Sequence, residues 1–331
     1  MTWTELDWGA LDRLRDRFLS GGLGDGPYWT SASDLASYDV TYGERIGWKW
    51  DAVLDELRLR NWAPRGGPVL DWGCGSGIAG RRVAARFGAA LAGPLVFWDH
   101  SPSATMFAHD AASRELPGLE VSMATAAYLR CDDPIGLLVL SHVLNELAPA
   151  ALDEIRLLAS RSRAVIWVEP GTRDTGRRLA ALRDELSGAF GVVAPCTHAK
   201  PCTALQAGNE RHWCHHFAPP PPAIFADSNW VKFGQRAGID LRSLPYSFAA
   251  LERGWAGGPE GFSRVIGRPE HFKPYARLLS CSGAGLEVLT VPKRTNPELY
   301  KELDRTRRPL VYRWSRDGDT VTAASKLERG T

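Results

Sequence analysis

Short apolar runs alternate with amphipathic stretches through the middle of this chain. Residues 69–72, 95–98, 119–123, 137–140 and 164–168 read as strands. Residues 80–87, around 104–116, 151–160 and 176–186 show helical periodicity between them. Such alternation predicts a parallel sheet covered by helices on both faces. Upstream, residues 44–60 place Ile46, Trp50, Val53, Leu54 and Leu57 at helical spacing. A shorter amphipathic helix is expected over 11–18, with the rest of 1–37 loop-like. After Phe190 the rhythm breaks into cysteines, histidines and a proline run, APPPPA at 218–223, expected to be an extended connector. A late strand pair is expected at 286–291 and 310–314. No internal repeat is seen.

At 331 residues the chain can form two domains or one large α/β domain with additions. Its net charge is only +2, but the charge is unevenly spread. From Ser263 onward there are 14 Lys and Arg against 8 Asp and Glu, a local +6, which leaves about −4 for the remainder. A basic segment suits a nucleic-acid partner, and a solvated surface equally. No window of ~18 apolar residues suggests a membrane span. The start, MTWTELDWGALDRLRDRF, has early acidic residues and no apolar core, unlike a secretory or organelle-targeting segment. A bacterial cytoplasmic location is therefore expected, where clustered cysteines point to metal or chemistry before disulfides.

VLDWGCGSG, from Val69 to Gly77, is an apolar strand, an Asp and three alternating glycines before a helix. Glycines there let a ligand approach the backbone and the chain turn tightly. The next predicted strand ends in Asp99, 24 residues after Gly75, where an acid can bond ribose hydroxyls. The order Asp-x-Gly-x-Gly-x-Gly resembles the first motif of class I S-adenosylmethionine-dependent methyltransferases, which have a Rossmann-like fold. It fits the dinucleotide fingerprint less well. The Asp suits the cationic ammonium end of S-adenosylmethionine. Candidate cofactor-binding residues are Asp71, Gly73, Cys74, Gly75, Gly77, Asp99 and Ser141, with Cys74 a small residue filling space in the loop. The fourth predicted strand runs into LSHVLNEL and lacks the Asn/Asp-Pro-Pro-aromatic motif of base amino-group methyltransferases. Ser141, His142, Asn145 and Glu146 lie near the crevice mouth, but no catalytic residue is assigned.

Of six cysteines, Cys74 sits in the glycine loop and Cys131 precedes a turn-forming Asp-Asp-Pro. The other four, Cys196, Cys202, Cys214 and Cys281, are spaced C-x5-C-x11-C-x66-C. Zinc ribbons use closer pairs, whereas iron–sulfur clusters take four thiolates at wider and more varied spacings. His198, His212, His215 and His216 crowd the first three. Pro195-Cys196 and Ser280-Cys281 also resemble elements of RNA 5-methylcytosine methyltransferases, but both lie beyond the fifth predicted strand, away from the methyl-transfer pocket.

The succession VLDWGCGSG, LSHVLNEL, WVEPGT, VVAPCTHAKPC, HWCHHF, PYSFAAL, LLSCSG and KRTNPELYKELDR resembles the methyltransferase-like assembly proteins of the mitochondrial small ribosomal subunit and their bacterial relatives. The likeness covers roughly residues 38–312. It implies a class I methyltransferase α/β fold with a Cys-rich iron–sulfur region and a small basic C-terminal extension containing β-structure. The expected layout is an N-terminal helical region at 1–62, a cofactor-binding core at 63–190, a metal-cluster region at 191–285 and the extension at 286–331. The family's cluster ligands fall on Cys196, Cys202, Cys214 and Cys281, for a [4Fe-4S] cluster or, alternatively, zinc. His198 and His215 would then support or pack. Thr197 and Thr203 stand where the family often has Pro. The resemblance implies small ribosomal subunit RNA as partner, with no membrane and no DNA, and a role in ribosome assembly and so in translation. Whether the protein is an assembly factor, an rRNA methyltransferase or a small-molecule methyltransferase stays open. Lys293, Arg294, Arg305, Arg307, Arg308, Arg313 and Arg316 are candidate phosphate contacts, and Trp213, Trp230 and Trp255 candidate base-stacking residues.

Overall fold

A computed structural model of the chain describes residues 2–20, 29–305 and 309–329. It divides into two compact units. The first comprises Met1–Asp51, Pro64–Val165 and Pro219–Leu244; the second comprises Ala52–Ala63, Ile166–Ala218 and Pro245–Thr331.

The chain opens with α1 (Trp8–Ser20), α2 (Ala32–Tyr38) and α3 (Glu44–Leu59). Then follow β1 (Val69–Trp72), α4 (Ile78–Phe87), β2 (Leu95–Trp98), α5 (Pro102–Glu115), β3 (Val121–Met123), α6 (Ala126–Arg130), β4 (Ile135–Ser141), α7 (Pro149–Ser160) and β5 (Ser162–Pro170). The strands and main helices fall where the apolar periodicity predicts them. In the first unit β3, β2, β1 and β4 lie in that order. All are parallel, with Asp71 opposite Phe97 on one side and Val139 on the other. All four residues of β1 are buried, which explains why the strand carries no polar alternation. Chain order reverses between β1 and β4, and the crevice at their carboxyl ends is the expected binding place in such sheets. Residues before Tyr38 are more structured than expected. Leu14, Trp29 and Leu35 bury themselves with Ala104 of α5.

The second unit continues with α8 (Arg173–Leu186), β6 (Gly191–Ala194) and β7 (His216–Phe217). The first unit adds α9 (Ser228–Ala237). Its Trp230 is buried against Trp3, Trp48 and Phe233, so it is no surface for stacking bases. In the second unit β8 (Pro245–Glu252) lies between β5 and β6, antiparallel to β6 and to β7.

Last come β9 (Ser263–His271), β10 (Tyr275–Ser282), β11 (Gly285–Pro292), α10 (Pro297–Arg305), β12 (Val311–Asp317) and β13 (Thr320–Lys326). These five strands close a barrel in the order β10-β11-β13-β12-β9. Counted from β9, this is 1-2-3-5-4, with the third and fifth strands parallel and a helix between the third and fourth. That is the arrangement of an OB-fold. Val265, Leu278, Leu289, Val291, Tyr312 and Val321 fill the barrel, and Leu303 of α10 packs into the same core. Two expectations are corrected here. The late strands at 286–291 and 310–314 exist as β11 and β12 but are not neighbours, because β13 pairs between them. A boundary at 285/286 would cut the β10–β11 hairpin, so residues 286–331 are no separate extension.

Candidate functional site

The glycine loop leaves β1 and enters α4 through three left-handed residues, Gly73, Gly75 and Gly77, at φ +68°, +53° and +78°. A Cβ on Gly73 would stand 2.7 Å from Val143 Cγ1, and one on Gly77 would stand 2.6 Å from Ala108 Cβ. Glycine is required there by both conformation and space. Asp99, at the end of β2, clamps the loop: one carboxylate oxygen accepts from Gly75 N at 2.9 Å and the other from Ser101 N at 2.9 Å. Cys74 donates its backbone N–H to Trp98 O, and burial pushes its thiol well above the usual range.

Asp71 lies wholly beneath the loop, where one oxygen accepts from Gly80 N at 2.8 Å and the other, Oδ1, has no partner among the described residues. Burial pushes its carboxyl up to about 7, with Asp99 nearby adding to the rise. Asp71 was expected to face a ligand's ammonium group. It has no exposed surface, so only the field and shape of the loop could carry its charge to a ligand. Ser141, at the end of β4, accepts from Trp50 Nε1 at 2.9 Å. The next residue, His142, is left-handed at φ +57° and places Nε2 3.4 Å from Lys49 Nζ. Burial, aided by Lys49, holds this histidine well below its usual pKa and therefore neutral. A bare loop backbone, an orphaned buried acceptor and a neutral acceptor nitrogen fit a polar ligand carrying positive charge.

In the second unit, Cys196, Cys202, Cys214 and Cys281 all line one cavity. They arrive from four separate places: the turn after β6, the loop before a 3-10 turn at Thr203–Leu205, the approach to β7, and strand β10. Apolar Leu179, Ala180, Phe248 and Ile266 share the wall with His198. Burial pushes Cys202 up to about 11 and Cys281 up to about 12, with neighbouring Cys196 adding to each rise. Cys214 is pushed well above its usual range by burial and then by the other three thiols. Without a bound cation Cys202, Cys214 and Cys281 are neutral thiols at pH 7. All six cysteines are free. Among the described residues, no three His, Cys, Asp or Glu side chains are gathered as a metal ion would need. The donor set lining the cavity is soft and fourfold, the chemistry that thiolate-bound metals and iron–sulfur groups take.

Supporting charges complete this site. Arg183 of α8 donates to the carbonyls of His198 (2.9 Å) and Lys200 (2.7 Å), bracketing the loop between the first two cysteines. Asp184 accepts from Cys202 N at 2.8 Å, and Thr203 Oγ1 sits 3.2 Å from Cys281 Sγ. Arg60 donates to the carbonyls of Val193, Pro195 and Cys196 at 2.7–2.9 Å. Glu56, fully buried, holds both Arg60 and Arg264. Burial alone would raise the Glu56 carboxyl, but the two guanidiniums outweigh it and hold it low. None of these charges stood out in the sequence, although Glu56 and Arg60 at i, i+4 inside an otherwise apolar helix face were a signal. His198 lines the cavity, whereas His215 stacks on Trp213 and bonds its carbonyl. Trp213 and Trp255 are partly buried. Lys293, Arg294, Arg313 and Arg316 are exposed; Arg316 pairs with Glu287 and Arg313 bonds Glu260 O. Arg307 and Arg308 lie outside the described residues.

A doubly wound α/β crevice with a glycine loop and a separate four-cysteine cavity define a methyltransferase-type α/β protein with an added thiol site. Over residues 49–306 the chain matches the family described as "Mitochondrial small ribosomal subunit Rsm22", and it belongs to that family. No curated protein matches it. Among solved structures, protein PH1948 of Pyrococcus horikoshii shares 11% identity at a TM-score of 0.37, covering 73% of this chain and 96% of that one. An O-methyltransferase family protein from Burkholderia thailandensis shares 16% at 0.37, covering 76% and 70%. A methyltransferase from Geobacter sulfurreducens, solved with S-adenosyl-L-homocysteine, shares 19% at 0.33, covering 60% and 90%. At such values the likeness says nothing about ligand or reaction. No helix among the described residues is long and apolar enough to cross a membrane.

Proposed function

We propose that this protein binds S-adenosylmethionine at the glycine loop, carries a [4Fe-4S] cluster on Cys196, Cys202, Cys214 and Cys281, and binds small-subunit ribosomal RNA during assembly of the small ribosomal subunit in the bacterial cytoplasm. The observation that carries the reading is the convergence of four cysteines from four chain segments on one cavity, in a member of a family named for the small subunit. The cluster's part is to supply four soft bonds that tie those segments together. The chain's own part is to present the thiolates, with Arg183 and Arg60 bracing the loops that bear them. At the other site the glycine loop would receive the cofactor's polar end, and Asp99, which clamps that loop, would offer its remaining lone pairs to ribose hydroxyls.

A second reading, active rRNA methylation, is favoured by one observation. His142 Nε2 stands 3.4 Å from Lys49 Nζ at the crevice mouth, a pair of polar side chains beside the strand end where a methyl acceptor would enter. Metal and sulfide analysis of anaerobically purified protein tests the first reading, together with co-sedimentation with small subunits. About four irons and four sulfides per chain are expected, lost in Cys202→Ser. A colourless protein holding one zinc would sink the cluster, and failure to co-sediment would sink the ribosomal role. Methylation of small-subunit RNA in vitro, lost in His142→Ala while cofactor binding persists, would establish the second reading.

A further inference from the structure

The barrel has an outer face on β10 and β11 that the cysteine site only partly covers. Strand alternation sends Ala276, Leu278, Leu289 and Val291 inward. It turns Tyr275, Arg277, Leu279 and Cys281 outward, opposite Pro292, Thr290, Val288 and Leu286. At one end of this strip Cys281 lines the thiol cavity and Leu286 packs on the cluster formed by Ala180, Cys202 and Ala204. The other end is open. There Phe272, 39% exposed in the β9–β10 turn, lies 4.9 Å from the Tyr275 ring at an interplanar angle of 30°. The Arg277 guanidinium sits 5.5 Å from the Phe272 ring centroid, steadied by Glu270 at 2.5 Å. Lys273 and Lys293 are exposed beside them, and Lys293 N bonds Pro274 O. Val288, 44% exposed, adds an apolar step midway.

An exposed ring, a partly buried ring and a guanidinium thus gather at this end of the strip. Nucleobases supply the flat apolar faces that such a cluster lacks, and the +6 segment around it suits phosphates. Position agrees independently: the second and third strands of an OB barrel, with the loop joining its first two, form its oligonucleotide-binding face. Topology alone would not argue function; here the residues do.

We propose that Phe272, Tyr275 and Arg277 form a stacking platform for single-stranded RNA, which runs along β10–β11 toward the end that carries Cys281. This rests on the RNA-binding reading above and names the surface that would perform it. The test is fluorescence anisotropy of the full-length, metal-loaded protein with a labelled oligouridine of about 12 nucleotides, within the range one OB-fold spans. Duplex RNA of equal length is the control. Affinity for the single strand should exceed that for the duplex. It should weaken on the order of tenfold in Phe272→Ala/Tyr275→Ala, the size of one lost base stack, and recover in Phe272→Tyr/Tyr275→Phe. The visible absorption spectrum reports whether each variant is folded and loaded. Wild-type strength in a loaded alanine variant would overturn the platform. So would a wild-type protein that co-sediments with small subunits but ignores the oligonucleotide; in both cases the ribosomal reading stands. A protein that binds neither subunit nor oligonucleotide would overturn both.

Discussion

The glycine loop and the four-cysteine cavity are built in opposite ways. The first is local: Asp71 through Gly80 supply its strand, turn and helix entry, and Asp99 closes it from the next strand. Each part is fixed by a nearby backbone bond or by a glycine that nothing else can replace. The second gathers its thiols from Cys196 to Cys281, and no two of them are neighbours in sequence. What holds it before any metal arrives is a set of buried ions: Arg183 on the His198–Lys200 loop, and Glu56 with Arg60 on the segment from Val193 to Cys196. A local site survives small insults because each bond is cheap. An assembled site depends on a few expensive ones.

Arg60→Met should break that contrast most sharply. It removes the donor to three carbonyls around Cys196 and one of two cations on buried Glu56. Stripping one partner from a buried ionic network costs about 3–5 kcal/mol. Urea unfolding of the second unit should show a loss in that range, together with reduced metal content. S-adenosylmethionine binding at the glycine loop, measured calorimetrically below the unfolding transition, should persist. Equal loss at both sites would mean that the two are not independently held.

The same contrast explains what could be read from the sequence. The β1-to-α8 alternation was legible because parallel strands buried on both faces are continuous apolar runs, and VLDWGCGSG names its own turn. Singling out Cys196, Cys202, Cys214 and Cys281 needed only a sort of six cysteines and a family likeness, but their common cavity needs the barrel strand that brings in Cys281. That barrel was mostly invisible. β9 reads SRVIGRPEH, with Arg268 and Glu270 turned outward and a proline inside, so no run of alternation announces it. β13, TVTAASK, is small and polar because its outer face is solvated. Arg60 carries no mark in the sequence beyond its i, i+4 spacing from Glu56. Its burial depends on residues 193–196, which arrive from more than a hundred positions away.

Asp71 gives the next largest effect and sharpens the local side. Its carboxyl lies near 7 in the folded protein against an ordinary 3.8. Between those values the folded state holds a proton that the unfolded state has released, so stability falls as pH rises from about 4 to 7 and then levels. The full cost is on the order of 4 kcal/mol. Asp71→Asn removes the titration while its side-chain oxygen can still accept from Gly80 N. The variant's stability advantage over wild type should therefore widen with pH up to about 7 and stop there, in thermal melts of ligand-free protein. A constant difference across that range would mean Asp71 is ionised throughout. S-adenosylmethionine should narrow the gap at pH 7.5, because a cationic ligand favours the ionised wild type and offers the amide nothing.

The smallest effect comes from Ser101, which caps α5 by accepting from Ala104 N at 3.4 Å, a long bond. Its backbone N–H, the part that fixes Asp99, is untouched by a side-chain change. Ser101→Ala should cost about 0.5–1 kcal/mol, the lower part of the range for a lost N-cap. Cofactor affinity should stay within a factor of two or so, less than 0.5 kcal/mol at 1.4 kcal/mol per decade. A tenfold loss of affinity from this one hydroxyl would show that the glycine-loop site depends on the side-chain cap as strongly as the cysteine cavity depends on Arg60. The distinction between a site held by many weak local bonds and one held by a few strong distant ones would then fail where it is easiest to check.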